Sequence, residues 1–446
     1  MANSPTNTSI GDYVALQRGN TYKSALLGGR GPYLLGLGSI ARNGGFKANN
    51  LKRYGGPSDP KILLRPGDIY VSLKDVTQSA DLLGAVARVP EFIESGRLTQ
   101  DTVKLVFKKH QSLPDYIYWL LRTPEYREYC KAHATGTTNL GLSRDDFFAF
   151  PVPALTPERA VVVDLLQALE DKIELNRRMN ETLEVMARAI FKDWFVDFGP
   201  TRAKMEGRPP YLAPDTWSLF PDRLDDDDKP NGWRFVVLEE ILDEIETGGR
   251  PKGGVSGYAV GIPSVGAESI VGLGQFDYSK TKYIPQEFFK TMNKGHVESR
   301  DVLLYKDGGR PGQFEPHLTL VGDGFPFDTF AINEHVYRLR AKTHFGQNLL
   351  YFWLSSDFVR EEMRTKGTGV AIPGLNSTQV KSLGTLVPTP QVAAAFDTFA
   401  NPAVTRILAN CNESRILAQT RDLLLPKLMS GEIRVRDAEK MVEATL

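Results

Sequence analysis

From Thr156 to Trp194 the chain holds no Gly, and Pro157 is its one proline. Leu166, Leu169, Ile173, Asn176, Asn180, Leu183, Ala187, Ile190 and Trp194 recur there at alternating three- and four-residue steps. This is the spacing of a coiled-coil seam, and it predicts a helix about 55 Å long at 1.5 Å per residue. Thr156 suits the cap and Pro157 the first helical position. A second stretch near 391–428 keeps Phe396, Ile407, Asn410, Leu417, Leu424 and Leu428 in the same phase, with Pro402 expected to cap or kink it near its start. A lone apolar seam must be buried, and each helix is the other's nearest partner. Asn176 and Asn410 lie in the two seams at matching places, where they either fix register at some cost in stability or interrupt the seam at the surface. Elsewhere the pattern changes to short apolar alternations broken by Gly and Pro turns, which predicts compact mixed α/β folding.

The pattern occurs twice. Pro32–Gly36 answers to Pro263–Gly266 at a shift near 230, Gly67-Asp68-Ile69 to Arg300-Asp301-Val302 at 233, and Ile173, Asn176 and Leu183 to Ile407, Asn410 and Leu417 at 234. The amphipathic segments Tyr116–Glu128 and Leu349–Glu361 also match, each followed by a Gly-Thr turn at 136–137 and 367–368. A unit used twice accounts for 446 residues, more than one core usually serves. The expected fold class is α+β, two repeated mixed α/β domains joined by two long helices. The divisions are 1–155 (first domain), 156–199 (first helical spacer), 200–234 (linker), 235–387 (second domain), 388–430 (second helical spacer) and 431–446 (tail). The linker is proline-rich and acidic, and its run Asp225–Asp228 reads as solvated.

Composition narrows the function classes. Lys+Arg 54 balance Asp+Glu 54, so the chain is no uniformly basic nucleic-acid coat, although basic loops on a neutral body remain open. The two cysteines form no disulfide framework, and neither a signal peptide nor an apolar stretch of spanning length is legible, which points to a cytoplasmic protein with no membrane role. No active site can be assembled. Gly36-Leu37-Gly38 lacks the βαβ context of a dinucleotide site. Lys23-Ser24 lacks the glycine that a phosphate loop places before its lysine. The six histidines have no metal-ligand spacing. Asn401-Pro402-Ala403-Val404 lacks the second proline and the aromatic of an adenine-methyltransferase signature and reads as a helix-start turn. The chain is therefore read as non-catalytic, without a metal or cofactor of its own.

Cationic and amide side chains cluster instead in loops at matched places. The candidates are Arg42, Lys47, Asn49, Asn50, Lys52, Arg53, Tyr54, Lys74, Thr77, Gln78, Thr137 and Thr138 in the first unit. In the second they are Lys280, Lys282, Tyr283, Lys306, Arg310 and Thr368. Lys and Arg neutralise phosphates, while Arg, Asn and Gln make bidentate contacts with base edges. Any one of them can equally be a plain surface charge. Phe191, Trp194, Phe195 and Phe198 form either a docking surface or a core packed against Leu424, Leu425 and Leu428.

Leu183–Pro200 (LEVMARAIFKDWFVDFGP) and Arg421–Val435 (RDLLLPKLMSGEIRV) resemble the ends of the two conserved helical regions of type I restriction–modification specificity subunits. The Gly-Thr loops followed by Leu142 and Leu375 are similar to the family's pattern at the end of each target-recognition domain. The resemblance extends over the whole chain. It implies that each domain reads one half of a bipartite, asymmetric DNA sequence, with the two helices packed antiparallel as a spacer. It also implies that the chain nucleates two methylation subunits and two restriction subunits. N6-adenine methylation with S-adenosylmethionine and cleavage with ATP and Mg then belong to those partners. A specificity chain of a methylation-only system would look the same. A coiled-coil scaffold that reads no DNA is the remaining alternative.

Overall fold

The computed structural model describes residues 8–48, 50–108, 113–137, 139–309, 312–367, 373–430 and 440, without the side chains of 113, 428 and 429. It divides into two compact units, Met1–Lys172 with Ile416–Leu446 and Ile173–Arg415.

The first unit is built on β1 (Val14–Arg18), β2 (Ile69–Ser72), β3 (Val86–Arg88) and β4 (Thr102–Phe107), antiparallel in the spatial order β1-β4-β2-β3. All four residues of β2 are buried because both faces of the sheet are covered. The two-residue period sends Ile69 and Val71 to a core with Tyr116, Trp119 and Phe147, and Tyr70 to another with Leu35, Leu64 and Leu98. Tyr33–Leu35 runs parallel to Gly96–Leu98 in a small sheet that supplies this second layer.

The second unit repeats this plan. β5 (Leu242–Thr247), β6 (Val302–Tyr305), β7 (Leu318–Leu320) and β8 (Val336–Ala341) take the order β5-β8-β6-β7, again antiparallel. Val302 and Leu304 face one core and Leu303 the other. Ile262–Val265 runs parallel to Ala331–Ile332 where the first unit has its parallel pair. Each unit carries a helix pair after its last long strand, Leu113–Leu120 with Pro124–Ala132 and Gln347–Leu354 with Asp357–Lys366. Each also closes by pairing its first and last strands, Thr8–Ser9 with Pro151–Val152 and Arg234–Val237 with Gly384–Val387. The fold is the expected one, two repeated mixed α/β domains and two long helices that pair antiparallel.

The helices are α1 (Pro157–Phe195) and α2 (Pro390–Ser430). Their starts follow one rule: the Thr156 hydroxyl accepts from the Arg159 N–H (3.3 Å) and the Thr389 hydroxyl from the Val392 N–H (3.4 Å), each before a first-turn proline. Higher residues of α1 meet lower residues of α2. In the first unit Leu166 shares a core with Leu424 and Leu425. In the second, the Asn180 amide faces the Cys411 sulfur at 3.1 Å.

Three local expectations change. Pro402 neither starts nor ends a helix, because α2 runs through it from Pro390, and the Asn401–Val404 turn is helix interior. The segment 200–234 is packed rather than a passive strap: Phe220 and Trp233 enter the core, and Lys229 bonds Asp225 at 2.6 Å and Asp227 at 2.8 Å, so part of the acidic run is neutralised on the spot. The aromatic cluster is a core, but not against Leu424 and Leu425. Phe191, Trp194 and Phe195 pack edge-to-face on Phe396 at 5.2–6.2 Å, and Phe198 packs on Trp233 at 6.0 Å. Antiparallel pairing dictates this, since the end of α1 must meet the start of α2.

Candidate nucleic-acid interface

In the first unit three loops are tied into one surface. The loop after β2 wraps the fully buried Asp75, whose carboxylate accepts from the Thr77 N–H (2.8 Å), the Thr77 hydroxyl (2.8 Å) and the Leu82 N–H (2.6 Å). Lys74–Asp75 pairs with Leu140–Gly141, and the Leu142 N–H donates to the Leu73 carbonyl at 3.0 Å. The Asn43 N–H donates to the Asp81 carbonyl at 3.0 Å, which joins the loop around Arg42 to the same assembly. Arg42, Lys74, Thr77, Gln78 and Thr137 are exposed on it. Two of the cations have carboxylates nearby, Arg42 at 3.7 Å from Asp81 and Lys74 at 3.4 Å from Asp101. The Gln78 amide donates to the Thr137 carbonyl at 3.4 Å. Gly136 is required here by its φ of +99° and by Asn139 O, which lies 2.3 Å from where a Cβ would stand.

Lys47, Asn50, Lys52 and Arg53 are exposed on the segment that follows, with the Arg53 guanidinium 4.2 Å from the Tyr33 ring centre. Tyr54 differs from its neighbours. It is buried, with the Arg97 guanidinium 4.7 Å over its ring and Tyr22 against its edge, so it props a loop instead of facing solvent.

The second unit ties its equivalent loops in the same manner. The Leu375 N–H donates to the Lys306 carbonyl (2.8 Å), the Gly308 N–H to the Pro373 carbonyl (2.8 Å), and Asp307 bridges Gly374. This register aligns Lys306 with Leu73, not with Lys74. Lys306 is accordingly half-buried, its ammonium donating to the Glu334 carbonyl (3.3 Å) and lying 5.7 Å from the Tyr337 ring centre. Lys280 is exposed, Lys282 is held by Glu268 at 2.6 Å, and Tyr283 is half-buried in a strand paired with Pro263. Burial pushes the Glu268 carboxyl up, but its bond to Lys282 more than offsets this and leaves it low. Asn49, Thr138, Arg310 and Thr368 lie outside the described residues.

Sequence reasoning missed the group beside Lys306. His335 meets Asp307 at 2.7 Å and Glu334 at 3.4 Å, and Glu334 also pairs with Arg250. A run such as Asn-Glu-His carries no periodic signal, and its partners lie 28 and 84 residues away, so only the fold assembles it.

The helix pair holds its own polar contacts. Within the first unit, Glu170 on α1 bonds Arg421 on α2, with Arg122 at 3.6 Å, while Asp422 sits 2.7 Å from Arg421 and 3.7 Å from Arg122. Within the second, the buried Asn176 donates to Glu413 at 2.7 Å and Ser414 at 3.3 Å, and the buried Asn410 donates to Asn180 at 2.8 Å. Leu166, Leu169, Leu417, Leu424 and Ile407 are buried; Ile173, Leu183 and Ile190 are half-buried. The side chain of Leu428 lies outside the description.

Nothing in these sites is poised for bond-breaking chemistry. Burial pushes the Cys130 thiol up to about 11 and the Cys411 thiol up to about 12, so neither is a thiolate nucleophile at neutral pH. Among the described residues no three His, Cys, Asp or Glu gather as metal ligands, and no helix is long and apolar enough to cross a membrane.

No family model matches the sequence. Two curated proteins do. The type I restriction enzyme MjaIX specificity subunit of Methanocaldococcus jannaschii is 25% identical over 345 residues, covering 76% of this chain and 73% of that protein. The type I restriction enzyme HindI specificity subunit of Haemophilus influenzae is 24% identical, covering 72% and 78%. The chain is a relative of type I restriction enzyme specificity subunits. The crystal structure of a type I restriction–modification S subunit from M. genitalium has the same fold, with a TM-score of 0.52 at 13% identity over 96% of this chain and 98% of that one. Among specificity subunits, then, this chain carries the duplicated domain and the paired long helices in full.

Proposed function

We propose that the chain is the DNA-reading subunit of a type I restriction–modification complex, with each domain reading one half of a bipartite, asymmetric target. The observation that carries this reading is the duplication. Both units use one sheet order and tie the same two loops together, yet present different side chains from them. A shared scaffold with divergent loops suits two readers of unlike half-sites. The chain scaffolds two methylation and two restriction subunits. S-adenosylmethionine, ATP and Mg serve those partners, in the cytoplasm, and the chain itself catalyses nothing.

Base-resolution mapping of N6-methyladenine in the host, with the gene intact and then deleted, tests this. One two-part motif with a fixed gap should lose its methylation. Unchanged methylation, together with an assembled complex that fails to select any duplex, would overturn the reading.

We also propose that the helix pair sets the gap and that the seam asparagines fix its register. Removing one heptad from each helix at facing positions should shorten the gap by about three base pairs, since seven residues rise about 10 Å and a base pair 3.4 Å. An unchanged gap in the remapped motif excludes this.

A further inference from the structure

Each unit throws out one long loop between two glycines at matched positions, Gly19–Gly31 in the first and Gly248–Gly261 in the second. All four glycines are forced by close backbone approach. A Cβ on Gly19 would stand 2.1 Å from Thr99 O, and one on Gly248 1.6 Å from Ile332 O. On Gly31 it would stand 2.1 Å from Tyr54 O, and on Gly261 2.3 Å from Ile284 O. Thr99 and Ile332 are equivalent positions of the repeat, as are Tyr54 and Ile284. The duplication has thus kept the loop's exit and its return at the same two places.

What lies between the glycines differs in sequence but not in character. Asn-Thr-Tyr-Lys-Ser-Ala-Leu-Leu-Gly-Gly-Arg and Gly-Arg-Pro-Lys-Gly-Gly-Val-Ser-Gly-Tyr-Ala-Val each carry two cations and no carboxylate, in a chain whose net charge is zero. Lys23 and Arg30 are exposed in the first loop, Arg250 and Lys252 in the second. Lys23, Arg30 and Lys252 have no carboxylate partner among the described residues, whereas Arg42, Lys74 and Lys282 in the loops considered above all do. Each loop also exposes large apolar groups that it could have buried, Tyr22 and Leu26 in one, Tyr258 and Val260 in the other, with Val260 81% exposed. Gly253 and Gly254 take φ of +91° and +85° with open space around them, so backbone can approach a ligand there.

Both loops are braced from beneath. In the first unit the buried Arg97 guanidinium donates to the Asn20 side chain and to the Thr21 carbonyl (2.9 Å), while Tyr54 supports Tyr22. In the second, Arg250 pairs with Glu334, which touches His335, which in turn holds Asp307. The loop is thereby linked to the assembly around Lys306.

We propose that these two loops are the phosphate-gripping arms of the two readers, with Lys23 and Arg30 serving one half-site and Lys252 and Arg250 the other. The proposal rests on the DNA-reading function argued above. Free cations on an acid-free, braced loop neutralise phosphates, and the exposed apolar tips fit sugar edges along a groove. Arg97 and Tyr54 act as positioning residues, which accounts for a buried tyrosine among exposed candidates.

The test uses the assembled methylation complex and a duplex carrying its mapped target. Lys23→Gln with Arg30→Gln should weaken binding about ten-fold or more at moderate salt and lower the salt dependence by about two phosphate equivalents, and so should Arg250→Gln with Lys252→Gln. Ethylation interference should then lose contacts in one half-site for the first pair and in the other half-site for the second. A wild-type complex that binds its target while both pairs keep full affinity and slope would overturn the proposal and leave the DNA-reading function standing. A wild-type complex that selects no duplex would overturn that function itself. Variants that fail to bind methylation subunits, by size-exclusion chromatography, would assign the loops to protein contact instead.

Discussion

Replacing Trp194 by Ala costs the second unit about 3–5 kcal/mol, the usual penalty for emptying a large aromatic site in a packed core. Trp194 is 1% exposed, and its ring meets Phe220 at 4.9 Å, Phe399 at 5.6 Å and Phe396 at 6.2 Å, all edge-on. These rings come from three separated stretches of chain, so none can close the gap without moving its own element. Edge-on aromatic pairs add about 0.5–1.5 kcal/mol each beyond burial, which places the loss toward the top of the range. Hydrogen exchange resolves the effect by unit. Amides of Val302–Tyr305 should lose protection in the variant, while those of Ile69–Ser72, in the first unit, keep theirs. Equal protection of Val302–Tyr305 in variant and wild type would mean that the cluster is not the core it resembles.

Glu170→Gln destabilises the first unit by about 2–4 kcal/mol, because two nearly buried guanidinium groups lose their shared carboxylate. Arg122 is 6% and Arg421 11% exposed, and both reach Glu170. The loss stays at the lower side of buried-pair breakage because Asp422 remains 2.7 Å from Arg421. The sign of the pH dependence follows. Burial alone would raise the Glu170 carboxyl, but Arg421 and Arg122 outweigh it and hold it below the usual range. Its contribution is therefore complete above the unfolded carboxylate value of about 4.3 and is lost as pH falls through the lower folded value. Acid unfolding followed by circular dichroism should show wild type and Glu170→Gln converging below about pH 4 and separating above it. Parallel curves at every pH would show that the carboxylate charge contributes nothing.

The sequence by itself determined the duplication, the two helix starts at Thr156-Pro157 and Thr389-Pro390, the seam with its matched asparagines, and the alternation that splits Ile69 and Val71 from Tyr70. Each is a local or periodic property, set by capping, by proline's fixed φ and by the two repeat lengths of helix and strand. The exposed cations Arg42, Lys47, Lys52, Arg53 and Lys280 were legible for the same reason, since loops between short strands face outward. Only the tertiary structure decided what depends on partners distant in sequence. It buried Tyr54 under Arg97 and aligned Lys306 with Leu73. It also folded Phe220 and Trp233 of the acidic segment into a core, ran α2 straight through Pro402, and gave Phe191, Trp194 and Phe195 to Phe396 rather than to Leu424. In every one of these the deciding term is desolvation of a side chain by groups tens to hundreds of residues away, and that energy exists only once the chain has closed on itself.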